Sequence, residues 1–227
     1  MISRSEVHIP VGTSHLQGLL SIPQAARGLV IFAHGSGSSR FSTRNQEVAR
    51  RLNDFAIATL LFDLLSSDEG TVDERDGRYR FNVALLSHRL VLATRWAQRY
   101  PTSQHLPLAY FGASTGAAAA IIAATEMPES ITAVVSRGGR VDLAGHSALT
   151  ELDAPLLMIV GGADIEVLAL NRSAALQLRV EHEVEVIEGA GHLFEEHEAL
   201  ERVADLAAAW FLRNFALVKS SKHEMRG

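Results

Sequence analysis

Six short, nearly unbroken apolar runs set the strongest limit on how this chain can fold: Gly28 to Phe32, Ala58 to Phe62, Leu106 to Phe111, Thr132 to Val135, Leu156 to Val160 and Val184 to Ile187. A strand with one wet face alternates apolar and polar side chains. A run that does not alternate is buried on both faces, as in a parallel sheet covered by helices. Between the runs lie stretches of helical period. Residues 43–53 open on Thr43-x-x-Gln46, read as a capping box, and continue through Val48, Arg51 and Leu52. Residues 82–98 place Leu86, Leu90, Ala93 and Ala97 on one face, and residues 199–215 do the same with Leu200, Val203, Ala207, Trp210 and Phe211. Ala117 to Ala124 is a helix of small side chains suited to lying close on a sheet. Ahead of all this, Val7, Ile9 and Val11 alternate, then Leu16, Leu19 and Leu20, with Gly12-Thr13 between them, which predicts an antiparallel hairpin. Together these predict an α/β, doubly wound, mostly parallel sheet with an antiparallel N-terminal hairpin at its edge. The 227 residues suit one domain over 1–218 and a polar tail over 219–227.

Composition removes several function classes. With 21 basic against 26 acidic residues the net charge is -5, and no basic block stands out, so a nucleic-acid partner is not expected. The absence of cysteine excludes disulfides, thiolate metal sites and a cysteine nucleophile. No apolar run approaches a bilayer span and the N-terminus lacks the apolar core of a signal peptide, so the expectation is a cytoplasmic protein with no membrane partner. A monomer or homodimer is expected.

In a doubly wound sheet, function collects at the carboxyl ends of the strands. Following each run in turn are His34-Gly35-Ser36-Gly37-Ser38, Asp63, Gly112-Ala113-Ser114-Thr115-Gly116, Ser136 to Asp142, Gly161-Gly162-Ala163-Asp164 and Gly189-Ala190-Gly191-His192. Gly112-x-Ser114-x-Gly116 joins a buried strand to a small-residue helix, where a sharp turn lifts the serine hydroxyl above the sheet. A serine nucleophile needs a base, and the base needs an orienting acid. His192 and Asp164 supply them from later loops at the same sheet end, in the chain order Ser, Asp, His. The N–H groups of Ser36 and Thr115 are the candidate oxyanion donors.

With these parts assembled, the chain resembles the α/β-hydrolases, specifically the small serine-dependent branch grouped with dienelactone hydrolases. The resemblance runs from His34-Gly35 through Phe62-Asp63 and the Ser114 turn to Asp164 and Gly191-His192-Leu193-Phe194. It implies catalytic Ser114, Asp164 and His192, no cofactor, no metal, an ester bond in a small-molecule substrate, and no large cap domain. The chain departs from true dienelactone hydrolases at the nucleophile, where those use cysteine. Thioesterase, amidase or lactone hydrolase chemistry would use the same residues.

Rival readings remain at this stage. Gly35-x-Gly37-x-x-Arg40 with Asp63 at the next strand end resembles a dinucleotide site, but Arg40 stands where a small residue is needed. His192-x-x-Glu195-Glu196-His197 resembles a metal helix without matching its spacing, and Glu195 and Glu196 are placed in the first turn of the last helix. A non-catalytic ligand receptor or scaffold on this fold is the remaining alternative. Asp142 is an alternative orienting acid. His34, Arg137 and Arg140 are candidate substrate-binding residues, the arginines as carboxylate forks or as ion-pair partners of Asp142. The charged stretch 66–80 is expected to be a loop, either a small lid or a solvated connector.

Overall fold

The computed structural model describes the backbone of residues 1–224 and the side chains through residue 218. Two long strands, β1 (Ile2–Val11) and β2 (Ser14–Pro23), form the predicted hairpin, in register from Ile2↔Pro23 to Val11↔Ser14. The turn between them needs a left-handed residue, and Gly12 supplies it at φ 55°. The six buried runs become β3 (Leu29–Ala33), β4 (Ala58–Phe62), β5 (Leu108–Ala113), β6 (Ile131–Arg137), β7 (Leu156–Gly161) and β8 (His182–Ile187). All eight strands form one sheet in the order β1-β2-β4-β3-β5-β6-β7-β8, with β1 and β2 antiparallel and the rest parallel.

Helices cover both faces. On one side α1 (Thr43–Asp54) and α7 (Ala199–Glu224) pack on a core that includes Phe32, Phe111, Val135 and Phe211. On the other, α3 (Val83–Ala97) and α4 (Thr115–Glu126) pack over Ile31, Tyr110 and Val134. The alternation of partners along β5, Tyr110 one way and Phe111 the other, is why the strand sequence shows no polar side. α5 (Gly145–Glu151) and α6 (Ile165–Ala175) complete the helices that follow β6 and β7.

Three expectations change. α1 is capped by Ser42, whose side chain accepts from the Asn45 N–H at 3.3 Å, so the cap lies one residue before Thr43. The stretch 66–80 holds a helix, α2 (Ser67–Asp76), with a Ser66/Glu69 capping box and a left-handed Gly77 at its end. Its charge hides a helix because almost nothing on it is buried except Asp73. The last helix begins at Ala199, so Glu195 and Glu196 lie in the loop before it. α7 continues to Glu224 into the stretch expected as a polar tail, whose side chains and residues 225–227 lie outside the described residues. Among the described residues no helix is long and apolar enough to cross a membrane.

Candidate active site

The chain leaves β3 to build β4 on one side and then returns to build β5 on the other. This puts the topological switch between β3 and β5, where the loops after both strands diverge and open a crevice. Ser114 sits there, between the end of β5 and α4, at φ 50° and ψ -122°, a conformation that costs a non-glycine residue about 1–3 kcal/mol. The frame holding it is tight. Its N–H donates to Arg137 O at 3.2 Å, and its carbonyl accepts from Arg140 N at 3.0 Å and Ala117 N at 3.1 Å. A Cβ on Gly116 would lie 2.2 Å from Ala33 O, and one on Gly112 would lie 2.4 Å from Ala117 Cα. The two glycines of the motif are therefore demanded by packing against β3 and α4.

Asp164 and His192 arrive from the loops after β7 and β8. Asp164 occupies the N-cap position of α6 but makes no capping bond with its side chain. The carboxylate instead accepts the Nδ1–H of His192, 2.6 Å away. That bond fixes the imidazole tautomer and leaves Nε2 as the basic nitrogen. Ser114 and His192 line the same cavity of about 260 Å³, although Ser114 Oγ has no hydrogen-bond partner among the described residues. Asp142, the alternative acid, is instead paired with Arg140 through two bonds of 2.9 and 2.8 Å.

The loop after β3 is pinned by side chains. Leu64 N–H donates to His34 Nε2 at 3.1 Å, which leaves Nδ1–H to donate to Gly35 O at 2.9 Å. Both ring nitrogens are thus used within the protein, and burial holds this imidazole below its usual pKa range against weaker upward pulls from Gly35 and Asp63. His34 borders the substrate space but anchors the loop, with no nitrogen left to bind a substrate. The Ser36 N–H, expected to face a substrate oxygen, is donated to Thr115 Oγ1 at 2.9 Å.

Arg40 answers the dinucleotide reading. It forms an ion pair with Asp63, adds a backbone bond of 2.7 Å to the same carboxylate, and reaches Gln17 at 2.6 Å. Asp63 is therefore occupied and unavailable to a ribose. The residues of the metal-like stretch are likewise drawn apart: Glu195 pairs with Arg44 at 3.1 Å, and Glu196 accepts the Gly191 N–H at 2.9 Å. A second cavity, of about 570 Å³, is lined by loop 35–38 and by Arg40, Asp63 and the α2 residues Thr71 and Glu74. The site residue that sequence reasoning placed least well is Thr115, expected to act through its N–H alone, whose hydroxyl holds the opposite loop.

Comparison with known proteins gives the same frame. No family model matches the chain. The dienelactone hydrolase of Anabaena variabilis is 50% identical, superposes with a TM-score of 0.92, and is covered over 98% of its length by 94% of this chain. This chain belongs to the dienelactone hydrolase-like branch of the α/β-hydrolases. Est1E of Butyrivibrio proteoclasticus shares the fold at a TM-score of 0.78 with 15% identity, covering 93% of this chain and 99% of that one. A dienelactone hydrolase-like promiscuous phosphotriesterase from metagenomic libraries does so at 0.77 with 17% identity, covering 94% of this chain and 98% of that one. Mycobacterium tuberculosis proteins named as phosphoribosyl transferases are 48% identical over 91% of this chain; the chain spans 46% of their length.

Proposed function

We propose that the protein hydrolyses ester bonds of small acyl substrates through an acyl-enzyme on Ser114. The observation that carries this reading is the 2.6 Å bond from His192 Nδ1–H to Asp164, beside a serine held in a strained turn on the wall of the same cavity. In the first half-reaction His192 Nε2 takes the Ser114 proton as Oγ attacks the substrate carbonyl carbon. The Thr115 N–H, at the start of α4, faces the developing oxyanion. The Ser36 N–H joins it by exchanging Thr115 Oγ1 for the substrate oxygen. The tetrahedral intermediate collapses as His192 returns the proton to the leaving alcohol. Water then enters and gives a proton to His192 as it attacks the acyl carbon, and His192 returns that proton to Ser114 Oγ as the acid departs. Asp164 holds the tautomer and stabilises the imidazolium throughout.

No cofactor enters this scheme. The lack of a large cap among the described residues supports short or soluble substrates over long lipids. The transferase activity in the name of the Mycobacterium tuberculosis proteins is left with those longer chains, of which this one spans less than half.

The test is labelling with a fluorophosphonate probe, with the adduct mapped by mass, on wild type and on Ser114→Ala. An adduct on Ser114 in the wild type alone is the expected result. A folded wild type that stays unlabelled would remove the activated serine and return weight to a ligand-receptor role.

A further inference from the structure

One charge in the site is left without a counter-ion. Arg137 ends β6, directly beside Ala113 in the β5–β6 register, and is only 7% exposed. Its side chain continues the face of β6 that carries Ala133 and Val135, toward α1 and α7. The neighbouring arginines all face carboxylates: Arg40 with Asp63, Arg80 with Asp73, Arg89 with Glu69 and Arg140 with Asp142. Arg137 has none. Its Nε and Nη1 are buried without a hydrogen-bond partner, and no ion pair reaches it among the described residues.

The charged group acting on Arg137 is another cation, Arg44, in the first turn of α1. Burial first, and Arg44 second, lower the Arg137 pKa to about 10, so it remains a cation at neutral pH. Arg44 also keeps a buried, unpartnered Nε while its Nη1 reaches out to Glu195. Both arginines line the cavity of about 260 Å³ that Ser114 and His192 also line. Two arginines against one glutamate leave one positive charge uncompensated there. A buried cation in that state is unfavourable unless a ligand completes it, and Arg is suited to completion by a flat or tetrahedral oxyanion.

We propose that Arg137, assisted by Arg44, binds an anionic group on the acyl portion of the substrate, a carboxylate or a phosphoryl group, in the cavity beside Ser114. This rests on the serine-hydrolase reading and names its substrate class. The acyl side is chosen because Arg137, Arg44 and Ser114 line one cavity, whereas Ser114 does not line the larger one. Arg140, the other candidate fork, is excluded because Asp142 already fills it.

The experiment compares kcat/KM for three p-nitrophenyl esters of similar length: the neutral butyrate, the hemisuccinate and the 3-phosphonopropionate. The expected result is that wild type prefers one anionic ester over the butyrate by about tenfold or more, the value of one charge-assisted fork. The preferred ester identifies the group. Arg137→Met should bring that ratio to about one, Arg44→Gln should lower it, and Arg140→Gln should keep it. A folded wild type that hydrolyses the butyrate as well as both anionic esters overturns the proposal, as does a preference that survives Arg137→Met. Failure of the serine-hydrolase reading itself looks different, because then no ester is hydrolysed and Ser114 takes no fluorophosphonate.

Discussion

Replacing Ser114 with glycine should stabilise the fold while removing the hydroxyl on which the proposed chemistry depends. At φ 50° and ψ -122° the serine sits where a Cβ is disfavoured, and three backbone hydrogen bonds, to Arg137, Arg140 and Ala117, hold it there. Such a residue stores about 1–3 kcal/mol. Glycine removes that strain but costs about 0.5–1 kcal/mol through the freer unfolded chain. The serine side chain makes no hydrogen bond among the described residues, so little is lost with it. The net gain is about 1 kcal/mol, which for a chain of this size moves Tm by about 2–4 °C. Ser114→Ala is the needed control, since it deletes the hydroxyl and keeps the strained Cβ. Calorimetry on the three proteins should rank glycine above alanine, with alanine close to wild type. If the glycine protein melts at or below the alanine protein, the turn at Ser114 stores no strain.

Three further outcomes follow from the same geometry. Asp164→Asn should reduce kcat on a p-nitrophenyl ester by about 10⁴, as loss of the tautomer-fixing acid does elsewhere, while Asp142→Asn should change it only a few-fold; equal losses would contradict the orienting role of Asp164. Arg137→Met should raise Tm by at least about 2 °C, since burial first and Arg44 second push the pKa of this cation down to about 10, the mark of a charge held unfavourably; an unchanged or lower Tm would mean that the charge is compensated. His34 has its pKa lowered by burial, so below its ordinary value of 6.5 the unfolded chain binds a proton that the native state refuses. The stability it contributes is complete above that pH and is lost as pH falls through it. Denaturant melts should show a steeper decline from pH 7 to pH 5 in wild type than in His34→Asn, and parallel declines would rule out this linkage.

Much of the architecture was legible because burial on two faces writes itself into sequence. All six apolar runs became parallel strands, and the Ser114, Asp164 and His192 loops fell at one sheet end. What escaped was written in polar residues, whose partners are chosen in three dimensions. α2 was missed although Ser66-x-x-Glu69 is a capping box and Gly77 a left-handed stop, because a surface helix with one buried side chain has no apolar period to read. Arg137 and Arg140 are equivalent in sequence, both flanking Gly138-Gly139, yet one is pinned by Asp142 and the other points into the core side unpaired. Only the alternation along β6 distinguishes them. The Ser36-to-Thr115 bond spans 79 positions and has no local trace.

The glycines around Ser114 also divide the molecule by how freely its sequence can drift. A Cβ at Gly112, Gly116 or Gly139 would press to within 2.4, 2.2 and 1.9 Å of neighbouring atoms, so these positions are closed to substitution without rebuilding the loops. α2 is the opposite case, since Gly70 has open space around it and Asp73 alone is buried. Yet α2 forms a wall of the larger cavity. New substrate preferences can therefore be sampled on that one surface helix at little cost in foldability, while the machinery opposite stays fixed.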